Sequence, residues 1–193
     1  MKKFPVWAIV LGVVVVLGLW LMSSYNGFVA SRGAADAAWA QVEVQYQRRA
    51  DLVPQLVATV QGAADFESDT LLEVTSARTN WMNVSQDADA SITDQMASSN
   101  AFDSAMSRLL VTVESYPTLT ATEGFLTMQS QLEGNENRIS VARKDYNEAS
   151  ASYNIKIKKF PGMMIANLFG FDAYPLFDAA EGSEVAPTVE FKQ

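Results

Sequence analysis

Val6 to Met22, VWAIVLGVVVVLGLWLM, is a run of 17 residues without a single charge. A helix that crosses the hydrocarbon of a bilayer needs on the order of 20 apolar residues, so this run lies at the short end of a membrane span. Trp7 and Trp20 stand near its two ends, where indole rings favour the membrane interface. A cleaved signal peptide has a shorter apolar core followed by a small-x-small site. Here Leu21 and Met22 precede Ser23 and Ser24, so an uncleaved signal anchor is expected. The run has no polar face, which argues against a helix in a soluble core. Lys2 and Lys3 precede it, and the first charge beyond it is Arg32. Positive-inside reasoning therefore keeps the short N-terminus in the cytoplasm and sends the body across the membrane.

The rest of the chain is bounded by what it lacks. With 193 residues it has room for one domain. It contains no cysteine and no histidine. A thiolate nucleophile, a Ser-His-Asp relay, a zinc site of imidazoles or thiolates and the Glu-x-x-His pairs of di-iron bundles are all excluded. Setting aside Lys2 and Lys3, 12 basic residues stand against 22 acidic ones, a balance of −10. Such a body repels phosphate backbones, so nucleic acid is not an expected partner.

Beyond the anchor the apolar residues recur every three or four positions, the period of a helix buried on one side. Tyr25, Val29, Arg32, Asp36, Trp39, Val42 and Tyr46 trace a first stripe that continues the anchor without a strong breaker. Pro54 lacks a backbone donor and is expected to kink or interrupt this helix. Leu71, Val74, Ala77, Arg78 and Trp81 form a second stripe. Residues 83–100 are polar, with Asp87, Asp89 and Ser91 as candidate N-caps. Phe102, Met106, Leu109, Leu110, Val113 and Tyr116 make a third stripe, ending at Pro117. The longest pattern runs from about Glu123 to Phe160 through Phe125, Met128, Leu132, Asn135, Ile139, Ala142, Tyr146, Ala149 and Tyr153, stopped by Pro161 and Gly162. No strand-type alternation competes. The expected fold is all-α: an elongated antiparallel, up-and-down, four-helix-type bundle continuing from the N-terminal transmembrane helix. Its parts are an anchor over 1–23, a bundle over 24–171 ending in a short amphipathic helix at 163–171, and an acidic, loosely ordered tail over 172–193.

The segments YNGFVASRGAADAAWAQVEVQYQRRADLVPQLVATVQG, LLEVTSAR, AMSRLLVTVESYPTL, NENRISVARKDYNEASASYN and IKKFPGMMIANLFGF carry a resemblance over roughly residues 23–171. In order, spacing and N-terminal anchor they resemble the LemA family. Phe66-Glu67 stands where a His-Glu pair is common, which counts against any histidine-dependent role, and the acidic tail lies outside the pattern. The resemblance implies a four-helix, up-and-down body on a membrane anchor, widespread in bacteria and without an established enzymatic activity. It supplies no catalytic residues. The family has sometimes been drawn with its short N-terminus outside, opposite to the charge argument above. On that charge argument, the bacterial cytoplasmic (inner) membrane holds the anchor and the body is periplasmic.

Two groups of residues are candidate sites. Asn135 falls on the apolar seam, with Arg138, Tyr146 and Asn147 nearby, as a candidate polar core layer. It can be read as a ligand-gripping pocket or as a hydrogen-bonded layer that fixes helix register, and the second is preferred. Lys156, Lys158 and Lys159 precede Met163, Met164, Ile165, Leu168 and Phe169. Together these are candidates for docking on a membrane surface or a partner. Arg32, Arg48, Arg49, Arg78 and Arg108 are expected in helix-surface or interhelical ion pairs. A metal or hydrolytic site would need convergent carboxylates such as Glu43, Glu73, Glu114 and Glu136, which apolar stripes do not favour. The expectation is therefore no catalytic, cofactor or metal site. The leading functional reading is a non-enzymatic, membrane-anchored structural or interaction protein of the bacterial envelope, a homo-oligomer or a partner of other envelope proteins. The alternatives are a ligand- or peptide-binding sensory module around Asn135 and, third, a carboxylate-based enzyme.

Overall fold

A computed structural model of the chain describes residues 6–62 and 67–178. They form α1 (Val6–Gln61), α2 (Ser68–Gln86), α3 (Ile92–Val113), α4 (Pro117–Thr120), α5 (Glu123–Lys158) and α6 (Gly162–Phe169). No strand occurs among the described residues. The 56 residues of α1 give it a length of about 84 Å at about 1.5 Å per residue. Its first third is apolar, with mean hydropathy 2.2 and no part of that window buried against the rest of the protein. By length and composition it can cross a membrane.

Cross-helix contacts give the topology. Ser31, Tyr46 and Arg49 of α1 meet Lys156, Arg143 and Asn135 of α5, so these two helices run antiparallel. Ala50 and Tyr46 meet Arg78 and Trp81 of α2, again antiparallel. Trp39 and Tyr46 meet Gln95 and Asp103 of α3, which therefore runs parallel to α1. The body is the expected up-and-down, four-helix-type bundle. α1 packs chiefly on α5 and α2 on α3. Its core threads Val42, Tyr46, Val53, Leu56 and Val60 of α1 against Val74, Phe102, Leu109, Ile139 and Tyr146.

Local sequence sets the ends. Ser91 caps α3 by accepting from the Asp94 amide, and the Asp94 carboxylate accepts in turn from the Ser91 backbone, a capping box. Thr122 caps α5 by accepting from Phe125 N. Gly170 ends α6 at φ +70°, the left-handed conformation in which glycine carries no Cβ penalty.

Four expectations are corrected. Pro54 does not interrupt α1, for a reason taken up in the Discussion. Near the anchor the buried face of α1 is Phe28, Ser31 and Ala35, while Tyr25, Val29, Arg32 and Asp36 are exposed. Small residues let α5 and α6 come close there, and small residues leave little hydrophobic signal. The third stripe ends as helix at Val113, and Pro117 instead opens the one-turn α4. Residues 172–178, expected in a loose tail, are pinned to α5, as described below. Residues 179–193 lie outside the described residues.

Candidate functional site

The middle of the bundle holds a polar layer centred on Arg49, which is only 4% exposed. Its guanidinium pairs with Asp103 of α3 and Glu136 of α5, and Nε donates to Asn135 Oδ1 at 3.4 Å. Asn135 Nδ2 donates to the Gln45 carbonyl of α1 at 3.1 Å. Asp103 also accepts from Arg143 at 2.5 Å and from the Tyr46 hydroxyl at 2.8 Å. Arg143 also donates to Asn100 at 3.1 Å. One charged cluster thus ties α1, α3 and α5 together at a single level. Burial pushes the Asp103 carboxyl above its ordinary value, against the opposing pull of Arg49 and Arg143. Burial also raises the Tyr46 phenol, helped by the Asp103 charge.

Of the candidate polar layer, Asn135 and Tyr146 are buried, and Asn147 is half-buried. Arg138 is exposed, on the rim of a hollow that it shares with Arg48, Asp51 and Asn135. Tyr146 and Asn147 serve a different purpose from Asn135. The Tyr146 hydroxyl donates to Pro175 O at 2.8 Å. Asn147 donates to Phe177 O and accepts from Phe177 N, both at 2.9 Å. Asn154 does the same with Tyr174, at 2.8 and 2.9 Å. Each amide side chain imitates a neighbouring β-strand, satisfying both backbone groups of one residue in the non-helical segment. The Phe177 ring stacks on Trp39 at 5.8 Å and lies under Arg143 at 4.5 Å.

Of the helix-surface or interhelical ion pairs expected for Arg49, the interhelical kind forms, but sequence reasoning passed over Asp103 and the burial of the pair. A signal was present. Arg49 lies three residues after Tyr46 and four before Val53, on the seam itself, where an arginine must find a buried partner.

Beside this layer α3, α4 and α5 line a cavity of about 420 Å³. Met106, Leu110, Phe125 and Leu132 line it, with Arg49 at one end and Glu114, Glu133 and Glu136 around it. The four carboxylates weighed as a possible cluster do not converge. Glu73 pairs with Arg108 at 2.5 Å, Glu136 with Arg49, and Glu43 sits half-buried near Trp39, its carboxyl raised by burial. Among the described residues no group of three or more acidic side chains is placed to hold a metal ion.

The second candidate group lies at the opposite, anchor end. Lys156 reaches Ser31, and Lys158 and Lys159 are exposed. In α6, Ile165 and Ala166 are buried with Phe28, Tyr153 and Ile157, whereas Met163, Met164, Leu168 and Phe169 are exposed.

Residues 38–191 match the LemA family. The chain belongs to the LemA family. Among its relatives, magnetosome protein MamQ 2 of Paramagnetospirillum magneticum is 29% identical over 172 residues, which cover 78% of this chain and 63% of that protein. Magnetosome protein MamQ of Magnetospirillum gryphiswaldense is 26% identical, over 81% of this chain and 65% of its own length. Protein LemA of Metamycoplasma hominis is 23% identical, over 81% and 69%. The chain thus spans less than two thirds of the length of the MamQ relatives. The family match covers the whole Arg49–Asp103–Asn135 layer and the pinned segment after α6.

Proposed function

We propose that this LemA-family chain is a membrane-tethered, non-enzymatic structural or interaction protein of the bacterial envelope, whose body projects rigidly from the anchor and self-assembles in the membrane plane. The observation that carries the reading is the continuity of α1. One unbroken helix serves as the apolar run and as the central element of the bundle core. No hinge separates anchor from body, so the body moves with its anchor and neighbouring bodies share one plane. Confinement of that kind raises effective concentration, and weak lateral contacts then suffice for assembly. Neither LemA nor MamQ names a reaction, which agrees with a non-catalytic role. In this reading residues 1–23 anchor the chain in the cytoplasmic membrane, with the N-terminus in the cytoplasm. Residues 24–171 form the periplasmic body, and the polar layer around Arg49 and Asn135 fixes helix register. Native electrophoresis of gently extracted protein tests the assembly: oligomers are expected, and monomers alone at native density contradict it. Protease added to intact spheroplasts tests the sidedness: cleavage of the body is expected, and full protection contradicts it.

A second reading is favoured by the cavity between α3 and α5. Its apolar lining and acidic rim suit a cationic amphipathic peptide as ligand, with the Arg49–Asn135 layer at its end. A thermal-shift screen of the full chain against such peptides tests it. A shift kept in Asn135→Leu but lost in Leu110→Glu places the ligand in the cavity, and no shift with any peptide contradicts the reading.

A further inference from the structure

The position of α6 relative to the anchor has a consequence for the bilayer. Phe169 meets the Tyr25 ring edge-on at 5.1 Å, and Phe171 meets Tyr25 and Phe28 at 5.5 Å. Tyr25 and Phe28 follow Met22, the end of the uncharged run, by three and six residues. At about 1.5 Å per residue, that places them about 5 and 9 Å beyond the run along the helix axis. The headgroup zone extends about 5–8 Å beyond the hydrocarbon on each side. α6 therefore lies at headgroup level whenever the run spans.

α6 also descends towards the run. Its first residue, Gly162, packs on Phe28, and its last, Phe169, packs on the lower Tyr25. Gly170 then reverses the chain, which returns upward through Phe171 to Tyr174, bonded to Asp36. Among the described residues, the turn at Leu168–Gly170 is the part of the body that comes nearest the anchor. Packing fixes this placement, because a Cβ added at Gly162 would lie 2.9 Å from Phe28 Cζ and 3.0 Å from the Lys156 carbonyl oxygen.

What α6 leaves uncovered is apolar. Met164 is 65% exposed and Leu168, one turn on, is 73% exposed. Beyond Lys3 the chain carries a balance of −10, and its cations next to α6 are Arg32, Lys156, Lys158 and Lys159; Asp36 and Asp172 stand beside them, and the α2–α3 turn brings Asp87, Asp89 and Asp94 to the same end. Long lysine stems reach sideways or down to phosphates while their apolar parts stay covered.

We infer that α6 is a second membrane contact, an interfacial helix whose Met164, Leu168 and Phe169 enter the headgroup–acyl boundary of the same bilayer that holds α1, with Lys158 and Lys159 on its anionic headgroups. Two contacts on one rigid body fix its tilt as well as its attachment, which one spanning helix cannot do. The inference rests on the anchor reading above, and the test separates the two.

The chain has no native cysteine, so a single introduced cysteine takes a single spin label. Val16→Cys in the run, Met164→Cys and Leu168→Cys on α6, and Leu126→Cys on exposed α5 far from the anchor are each made in the full chain. All are reconstituted in nanodiscs of mixed zwitterionic and anionic lipid. Accessibility to oxygen, which partitions into lipid, is compared with accessibility to a water-soluble nickel chelate. The expected result is an oxygen-to-nickel ratio at positions 164 and 168 several-fold above that at 126, approaching that at 16. Ratios at 164 and 168 equal to that at 126, with 16 in lipid, overturn the inference and leave the anchor standing. A water-exposed label at 16 overturns the anchor reading itself. Spin–spin broadening at 168 that vanishes on dilution with unlabelled chain assigns the face to a second copy, which also overturns the inference.

Discussion

Arg78 donates its Nε hydrogen to the carbonyl of Ala50 at 2.7 Å, and Ala50 lies four residues before Pro54. In an uninterrupted helix that carbonyl would accept from the amide at position 54, which proline lacks. α2 therefore supplies the donor that α1 has lost, and α1 runs on through Pro54 to Gln61. A hydrogen bond from a charged donor is worth about 1.5–3 kcal/mol. Arg78→Met should accordingly lower stability by about 2 kcal/mol. In a Pro54→Ala background the same substitution should cost less than half as much, because the amide is restored. A denaturant double-mutant cycle measures the difference, and equal costs in both backgrounds contradict the compensation.

The Arg49 cluster gives a second cycle. Arg49→Met strips a donor from Asp103, Glu136 and Asn135 together and leaves the Asp103 carboxylate partly buried with Arg143 as its remaining cation. Breaking a buried pair from one side costs about 3–5 kcal/mol, whereas replacing both charges by apolar groups is often nearly neutral. Arg49→Met is expected near the lower bound, and Arg49→Met with Asp103→Leu is expected to recover at least half of the loss. Additive losses in the double variant count against the pairing.

Asn147 and Asn154 hold the 172–178 segment through four hydrogen bonds to backbone, each worth about 1 kcal/mol net. Asn147→Leu with Asn154→Leu should release the segment while leaving the helices formed. Limited proteolysis should then cut beside Tyr174 and Phe177 many-fold faster, with circular dichroism unchanged. Equal cleavage rates in the variant and the parent chain would refute the clamp.

Alkali should unfold the body in a defined window. Burial raises the phenols of Tyr46, Tyr146 and Tyr153, and pushes Tyr174 up to about 12. The folded chain keeps these phenols neutral, whereas the unfolded chain ionises them near pH 10. The stability they contribute is complete below about pH 10 and is lost as pH rises through the folded values. Tyrosinate absorbance and helical circular dichroism, followed together, should change in concert above about pH 10. Ionisation of all four near pH 10 with intact helices contradicts the burial of these phenols.

The fold was legible because its determinants are periodic. Leu71, Val74 and Trp81, then Phe102, Met106, Leu109 and Val113, then Phe125 to Tyr146 and Tyr153 are buried at the spacing that the sequence displays, with Ser150 buried in place of Ala149, and α5 begins at Glu123 as expected. What escaped was non-periodic or side-chain specific. Ser31 and Ala35 face the core because they are small, and hydropathy does not register smallness. Asp103 directly follows Phe102, one position off the third apolar stripe, and only the meeting of α1, α3 and α5 gives it Arg49, Arg143 and Tyr46. The 172–178 segment has acidic ends and a proline, the composition of a loose tail. Two asparagines from another element, 20 and 30 residues away, decide its place. The rescue of Pro54 by Arg78 is of the same kind, since a proline's local penalty can be read from sequence but its remote compensation cannot.

The most direct test is the intact mass of the protein recovered from cell membranes after an alkaline carbonate wash. The 84 Å helix that joins anchor to bundle must survive in the mature protein if the body is tethered by it. A species that retains Val6 to Met22 and resists extraction is the expected result. A shorter species beginning beyond Met22 and released by the wash would contradict it.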